Sequence, residues 1–265
     1  MPVTTRRQDA VLIVGLDREA KRNAIDGEMA LGIDAALAEL EADAALRVGV
    51  ITGTPRVFSA GTDLTATASP ATEDGGEYGV IRRPRTKPLI AAVEGPALGG
   101  GFEIALACDL VVASQTATFG LPEARRGVIP TSGALFRALR ALPPNVARWL
   151  MLTGGTIDAT QAYEFGFVNQ VVAPGRAVAA ALDAAALVMA SAPTSVAQIL
   201  VALREIAEPD DARGWAATER AAEVIRQSED FREGVRAFFE RREPTWPGGG
   251  AMQRPADRTA LEDNR

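Results

Sequence analysis

The amino-acid sequence predicts an α/β fold in which a core of parallel strands is followed by a helical C-terminal region. Over the first half of the 265 residues, short apolar runs alternate with stretches of helical periodicity. That alternation is typical of β-α-β units, whose crossovers build parallel sheets. Residues 176–240 are helical in pattern almost throughout, with breaks expected near Pro193 and Pro209.

We divide the chain into three parts on this basis. Residues 1–190 are predicted to form the α/β core with the functional site, residues 191–246 a helical oligomerisation region, and residues 247–265 a loose tail. Between residues 176 and 240, Ala, Leu, Val, Ile and Phe recur without long polar faces, and helices this apolar need a partner surface. Beyond Trp246, the rise in Gly, Pro and charge marks the end of the packed chain.

Four apolar runs are predicted to be strands of the core. In chain order they are Val11–Leu16, Val48–Thr52, Leu89–Val93 and 110–113. Between the first two, apolar residues recur at helical spacing and predict a helix over residues 27–43. After the fourth, the pattern predicts helices over 134–142 and 146–152 around a Pro-Pro break. Residues 163–172 then follow as a helix end, a glycine cap and a last short strand.

The stretch Gly99-Gly100-Gly101 follows the third strand and opens an apolar helix, and it is the strongest candidate for a ligand site. Glycines let a backbone approach a ligand closely, and the free N–H groups of a helix start carry the positive end of its dipole. Such a turn stabilises developing negative charge. Two alternatives stay open: a helix start that serves packing alone, and a dinucleotide fingerprint, which would need a glycine where Ile104 stands.

Glu103 follows these glycines in an otherwise apolar helix. Apolar surroundings raise the pKa of a carboxyl group, so such a residue is either a costly accident or a proton-transfer group. A second turn, of small residues around a glycine, spans 57–64, and a second carboxylate, Glu123, follows a proline. The simpler interpretations are that Asp63 caps a short helix and that Glu123 lies in the first turn of another. Two N–H donors around one carbonyl oxygen would instead form an oxyanion hole.

Composition excludes several classes of chemistry. The chain has no histidine, which rules out a Ser-His-Asp triad, a Cys-His pair, a His-ligated zinc and a His general base. Acid–base work therefore falls to carboxylates, Lys or Tyr, and with only two Tyr in the chain the carboxylates are the first candidates. A single cysteine, Cys108, forbids an intramolecular disulfide. The net charge of −6 without a basic cluster argues against a nucleic-acid partner. We predict a cytoplasmic protein, because no apolar run would span a membrane and residues 1–9 do not lead into a signal sequence.

Ordered motifs over about residues 10–246 resemble the crotonase superfamily, also called the enoyl-CoA hydratase/isomerase superfamily. The motifs are LDREAKRNA (16–24), FSAGTDL (58–64), AAVEGPALGGG (91–101), CDL (108–110), FGLPE (119–123) and SEDFREG (228–234). The resemblance implies a crotonase-like spiral of ββα units with a C-terminal helical region. It also implies an acyl-CoA thioester substrate, no metal, no cofactor apart from the coenzyme A of the substrate, and a homotrimer or a hexamer built as a dimer of trimers.

The resemblance also implies roles for particular residues. The backbone N–H groups of Thr62 and Gly100 would form the oxyanion hole, and Glu103 and Glu123 fall on the two catalytic glutamates of the family. Contacts to coenzyme A or the acyl group would come from Lys21, Arg22, Ala24, Ala60, Asp63, Leu64, Leu98, Gly99, Pro122 and Thr131. A solvated basic pair is the alternative interpretation of the first two of these residues.

The activity implied is that of a hydro-lyase that adds or removes water across C2–C3 of the acyl chain through an enolate. Alternatives are an enoyl-CoA isomerase and a non-catalytic acyl-CoA-binding protein. Leu142-Pro143-Pro144 and residues 239–246 are similar to the carnitinyl-CoA dehydratase branch, whereas residues 131–135 depart from the Gly-Gly-Thr of many members. Residues 65–79 are small, polar and Gly-rich with little to bury, and we expect them to form a mobile lid over the acyl end.

Overall fold

The computed structural model describes residues 2–66 and 70–246. Its strands are β1 (Val3–Gln8), β2 (Val11–Leu16), β3 (Val48–Thr52), β4 (Ala71–Thr72), β5 (Gly76–Glu77), β6 (Leu89–Val93), β7 (Pro96–Leu98), β8 (Leu110–Ser114), β9 (Thr118–Gly120), β10 (Thr156–Asp158) and β11 (Gln170–Val172). Its α-helices are α1 (Gly27–Ala42), α2 (Gly100–Ala107), α3 (Ala134–Ala141), α4 (Pro144–Thr153), α5 (Ala159–Glu164), α6 (Ala177–Met189), α7 (Pro193–Gln227) and α8 (Glu229–Glu240). Single 3-10 turns cover Glu19–Lys21 and Pro122–Arg126.

The main sheet has six strands in the order β1-β2-β3-β6-β8-β11. All neighbours are parallel except β1, which pairs antiparallel with β2. The four predicted core strands are therefore confirmed, together with the short strand after the glycine cap. The sequence did not predict β1, because only its first residue is buried and the rest is polar and exposed, as is common for an edge strand.

Both faces of the main sheet are covered at β2, β3, β6 and β8, which explains why these four strands are continuously apolar. Successive side chains point to opposite faces, so Leu12 and Val14 of β2 face the large core that includes α1, whereas Val11 and Ile13 pack against α6. Alanines of α6 allow that helix to lie close to the sheet. A smaller sheet has three strands in the order β10-β9-β7. In the chain, β7 directly follows β6 and β9 directly follows β8.

The C-terminal region is helical as predicted, with one correction. The break near Pro193 is confirmed, since α6 ends at Met189 and α7 begins at Pro193 after a bend of 104°. The break near Pro209 is wrong, because α7 continues through that residue. Pro209 is exposed, and so is Glu205, whose backbone carbonyl loses its helical donor there, so water can bond that carbonyl.

The prediction that residues 65–79 have little to bury is also wrong for the part that the structure describes. Residues 70–79 form the β4–β5 hairpin, in which Gly75, Tyr78 and Gly79 are buried. The hydroxyl of Thr72 donates to Asp34 of α1 at 2.7 Å and ties the hairpin to the core. Residues 67–69 of this segment and the predicted tail, 247–265, lie outside the described residues.

Among the described residues, no single helix combines the length and apolar composition needed to cross a membrane. The bent pair of α6 and α7 meets that criterion only when its two helices are taken together.

Asn23 fixes the loop between β2 and α1 to the segment that carries the predicted turn around Gly61. Its buried side chain donates to the carbonyl oxygens of Val57 and Phe58 at 3.0 and 3.1 Å. Its Oδ1 accepts from the Arg18 N–H at 2.8 Å, and its own carbonyl accepts from Ser59 Oγ at 2.8 Å. The residue has φ +51°, a left-handed conformation that asparagine adopts more readily than most residues.

Replacing Asn23 by alanine should therefore destabilise the fold. Asn23→Ala leaves the Phe58 carbonyl and the Arg18 N–H without their partner, whereas the Val57 carbonyl still accepts from the Thr54 N–H at 3.0 Å. We expect the free energy of unfolding to fall by about 2–4 kcal/mol in urea titrations. The control is Asn145→Ala, at an exposed asparagine, with an expected change within about 0.5 kcal/mol. Equal urea midpoints for the two variants would show that the Asn23 side chain does not hold this loop.

Candidate active site

Three backbone segments run side by side toward the two predicted turns. Ser59 pairs in parallel with Ala97, and β7 pairs in parallel with β9 so that Leu98 lies opposite Gly120. The Gly99 N–H donates to the Gly120 carbonyl at 2.9 Å. Because parallel strands end at the same edge, the residues that follow each segment emerge together. The turn at 60–62, the glycine turn and the segment that carries Glu123 therefore meet.

Gly61 brings the two predicted oxyanion donors together. It has φ +89°, and a Cβ at this position would lie 2.7 Å from the Gly100 nitrogen. Only glycine fits such a turn and such a close approach. Among the described residues, neither the Thr62 N–H nor the Gly100 N–H has an acceptor, and Gly100 is the first residue of α2. Both N–H groups remain available to an oxygen of a ligand.

Glu103 is buried with 2% of its surface exposed, one turn into α2. Its Oε1 accepts hydrogen bonds from the Ser132 and Ala134 N–H groups at 2.7 and 3.1 Å. Burial raises the pKa of the Glu103 carboxyl to about 7, although these hydrogen bonds favour its ionised form. The carboxyl group is thus held in one orientation and is able to exchange a proton near neutral pH.

Glu123 follows Pro122 in a 3-10 turn, which agrees with its predicted place in a first helical turn. A Cβ at Gly99 would lie 3.1 Å from Oε1 of Glu123, so this carboxyl group lies directly against the glycine turn. Burial and the nearby Glu103 raise the pKa of Glu123 to about 8. Its Oε2 is buried without a hydrogen-bond partner among the described residues, which leaves that oxygen to a ligand.

Several residues implied for coenzyme A binding lie around the backbone segment at Ser59. Lys21 and Arg22 are exposed, and the Arg22 carbonyl accepts from the Ala60 N–H at 3.0 Å. The backbone of the basic pair therefore lies beside that of Ala60. Ala24 is half-buried and Leu64 is exposed at the far end of the turn.

Asp63 has a structural role in this turn. Its carboxylate pairs with Arg18 at 2.6 Å and accepts from the N–H and hydroxyl of Thr65. Burial opposes ionisation of Asp63, but the bonds from Thr65 and Arg18 outweigh it and lower the pKa to about 2. The interpretation of a tight turn is confirmed, but the interpretation that Asp63 caps a short helix is wrong, because no helix begins here among the described residues and the carboxylate closes the turn instead.

The remaining predicted contact residues lie around the glycine turn. Leu98 and Pro122 are half-buried, and Gly99 is buried between them. Thr131 is exposed immediately before Ser132, one of the two residues that bind Glu103.

Tyr78 is a residue at this site that the sequence did not indicate. It is buried, and its hydroxyl lies 2.8 Å from Oγ1 of Thr62. Its immediate neighbours in the sequence are small, polar or glycine, so no hydrophobic period marks it as buried. A lone aromatic residue in a polar, Gly-rich segment was the only available signal.

The raised pKa of Glu123 predicts how its removal changes stability with pH. The folded chain favours the protonated carboxyl group. The contribution of this group to the free energy of unfolding is therefore fully present below the usual pKa of 4.5 and is lost as pH rises through about 8. Glu123→Gln replaces the carboxyl group by an uncharged amide of similar shape. We expect this variant to be more stable than the parent by about 1–3 kcal/mol at pH 9, but not at pH 4. Chemical denaturation at several pH values measures this difference.

The control for that experiment is Glu164→Gln, at an exposed glutamate that ends α5. Its stability should follow that of the parent at every pH. If Glu123→Gln also runs parallel to the parent, the Glu123 carboxyl is not held in its protonated form by the fold.

Known proteins resemble this chain over nearly its whole length. The model of the enoyl-CoA hydratase/isomerase family matches residues 6–249. A carnitinyl-CoA dehydratase from Salmonella arizonae is 37% identical over 253 residues, which cover 91% of this chain and 97% of that protein.

Solved structures show the same relationship. A carnitinyl-CoA dehydratase from Mycobacterium avium 104 has a TM-score of 0.84 at 37% identity, covering 93% of this chain and 98% of its own. An enoyl-CoA hydratase from Mycobacterium tuberculosis H37Rv has a TM-score of 0.78 at 33% identity, covering 86% of this chain and 100% of its own. The predicted superfamily and fold class are confirmed. This chain belongs to the enoyl-CoA hydratase/isomerase family, in its carnitinyl-CoA dehydratase-like branch.

Proposed function

We propose that this enzyme adds water to, or removes it from, the C2–C3 bond of an acyl-CoA thioester, through an enolate bound by the Thr62 and Gly100 N–H groups. Activity of the hydratase or dehydratase type on CoA thioesters follows from the family; the residues and the enolate are our proposal. One observation supports it above the others: two buried carboxyl groups with raised pKa values lie beside two N–H groups that have no acceptor among the described residues.

In the hydration direction, the Glu103 carboxylate accepts a proton from a water molecule as the water oxygen bonds to C3. The π electrons of the C2–C3 bond move toward the thioester oxygen, where the two N–H groups stabilise the negative charge. The Glu123 carboxylic acid then donates its proton to C2, and the thioester carbonyl forms again. Dehydration is the same sequence reversed. Because both pKa values lie near neutrality, each group can hold or release a proton at physiological pH.

For the substrate, we propose that Lys21 and Arg22 contact coenzyme A phosphates and that the Ala60 backbone meets the adenine. Two exposed cations beside an exposed backbone segment suit a phosphate-bearing ligand. The acyl group belongs to the short enoyl thioesters, polar or branched ones included, since the relatives are carnitinyl-CoA dehydratases and enoyl-CoA hydratases. A panel that begins with crotonyl-CoA tests this class.

We also propose that the enzyme is a homotrimer or a dimer of trimers with the C-terminal helices at the subunit contacts. Only Thr218 and Ala222 are buried in the 35 residues of α7. Ile199, Leu203 and Ile206 of this helix are 57–76% exposed, and such a contiguous apolar face calls for a partner surface.

The two carboxyl groups make separable contributions to turnover. Glu103→Gln should lower hydration by about 10²–10⁴, the usual effect of a positioned acid or base, and leave exchange of the C2 proton of a saturated acyl-CoA measurable. Glu123→Gln should abolish both reactions, because its carboxyl group exchanges that proton. Thioester absorbance measures hydration, and deuterium uptake at C2 measures exchange.

Glu164→Gln serves as the matched control and should retain the rates of the parent. If Glu103→Gln hydrates as fast as the parent, Glu103 is a structural carboxylate, and isomerisation, which needs one proton shuttle, becomes the better assignment. If the parent binds thioesters tightly and turns none of them over, the enzymatic proposal is wrong.

Light scattering at micromolar concentration tests the proposed assembly. We expect three or six times the chain mass of 27.8 kDa. Leu203→Glu combined with Ile206→Glu places two charges in the apolar face and should shift the distribution toward the monomer. A monomeric parent would contradict the assembly without affecting the proposed chemistry.

A further inference from the structure

Tyr78 reaches the active site from a hairpin that holds neither of the two carboxyl groups nor either backbone donor. It is 4% exposed although its segment is mostly polar. The hydroxyl lies 2.8 Å from Oγ1 of Thr62, the residue whose N–H is one of the proposed donors. Its ring therefore brings one polar atom into the interior, beside the residue that carries the first proposed donor.

The same hydroxyl also lies against Gly100, the residue that carries the second donor. A Cβ at Gly100 would overlap the phenol oxygen of Tyr78, so the missing side chain of Gly100 provides the space that this oxygen occupies. The phenol oxygen thus contacts both residues of the oxyanion turn, one through a hydrogen bond and the other through direct packing.

Tyr78 is held in place at a conformational cost. Its φ is +57°, in the left-handed region that residues other than glycine, asparagine and aspartate seldom adopt. Its N–H donates to the Pro70 carbonyl at 2.5 Å, and its neighbour Gly79 also has a positive φ. Glycine would meet the backbone requirement at position 78 without strain, so the conformation alone does not account for a tyrosine there.

The phenol keeps its proton in this environment. Burial, with the negative charge of Glu103 after it, raises the pKa of Tyr78 above its usual range, while bonds from the Ser132 and Thr62 side chains oppose the shift. A neutral phenol is a hydrogen-bond donor. The Thr62 hydroxyl can act as donor or acceptor, so it can donate to the phenol oxygen while the phenol O–H turns toward a ligand.

We propose that the Tyr78 hydroxyl is a third donor of the oxyanion hole, which hydrogen-bonds the thioester oxygen alongside the Thr62 and Gly100 N–H groups and stabilises the enolate. This assignment rests on the proposed hydratase function and makes Tyr78 a catalytic residue of it. A donor that is already in place before the substrate binds requires no reorganisation as the negative charge develops.

Tyr78→Phe tests the proposal, because phenylalanine retains the ring and its packing. We expect kcat/KM for hydration of the thioester to fall by a factor of about 10²–10³, which is the effect of removing one oxyanion-hole donor from another enzyme. A cinnamoyl-CoA analogue, whose absorption moves to longer wavelength as its carbonyl oxygen is polarised, should show a smaller shift on the variant than on the parent. This spectral readout requires binding but no turnover.

The chain has only one other tyrosine, which provides a matched control. Tyr163 is 55% exposed on α5, and Tyr163→Phe should leave both the rate and the spectral shift unchanged. In the Tyr163→Phe variant, Tyr78 is the single remaining tyrosine and can be replaced by 3-fluorotyrosine. This residue keeps the hydroxyl and makes it a stronger donor, so the spectral shift should increase. The measurement stands even if Tyr78→Phe does not fold.

The possible outcomes distinguish the donor role of Tyr78 from the proposed hydratase function. An active parent whose Tyr78→Phe variant keeps its rate and its spectral shift overturns the role of Tyr78 alone. A lower rate with an unchanged spectral shift also overturns it, since the hydroxyl would then not contact the thioester oxygen. A parent that polarises the analogue but hydrates no thioester overturns the proposed function and leaves the donor assignment standing.

Discussion

Parallel pairing of three short backbone segments is the constraint on which the active site depends. Ser59 pairs with Ala97, and Leu98 pairs with Gly120, so the chain leaves all three segments in the same direction. A slip of one residue would turn alternate side chains to the opposite face and move the glycines away from the N–H groups of the neighbouring turn. Asn23 stabilises this arrangement from the side through its bonds to the first segment.

The space within the site comes from missing side chains. Gly99 leaves room for the Glu123 carboxyl group, Gly100 for the Tyr78 phenol, and Gly61 for the approach of the two donor turns. Glycine loses more conformational entropy on folding than other residues, and two buried carboxyl groups with raised pKa values disfavour the folded state at alkaline pH. The remainder of the fold offsets these costs by burying a main sheet on both faces.

Local patterns carried much of the information about this fold and its site. The apolar strands, the helix between the first two, the glycine turn, and the carboxyl groups of Glu103 and Glu123 were all predicted, because each is encoded by a few adjacent residues. The errors have equally local causes. Exposed polar residues concealed β1, and Pro209 suggested a helix end where exposure to water allows the helix to continue.

The sequence by itself thus determined the family, the fold class and the types of chemical group in the site, since spacing along the chain reports secondary structure and composition excludes histidine chemistry. Only the tertiary structure decided which groups meet. Among the described residues, Oε2 of Glu123 is buried without a partner and Tyr78 lies against Gly100, and neither feature can be read from local sequence. Both result from contacts between residues more than 20 positions apart, and hydrophobic periodicity carries no information about such distant pairs.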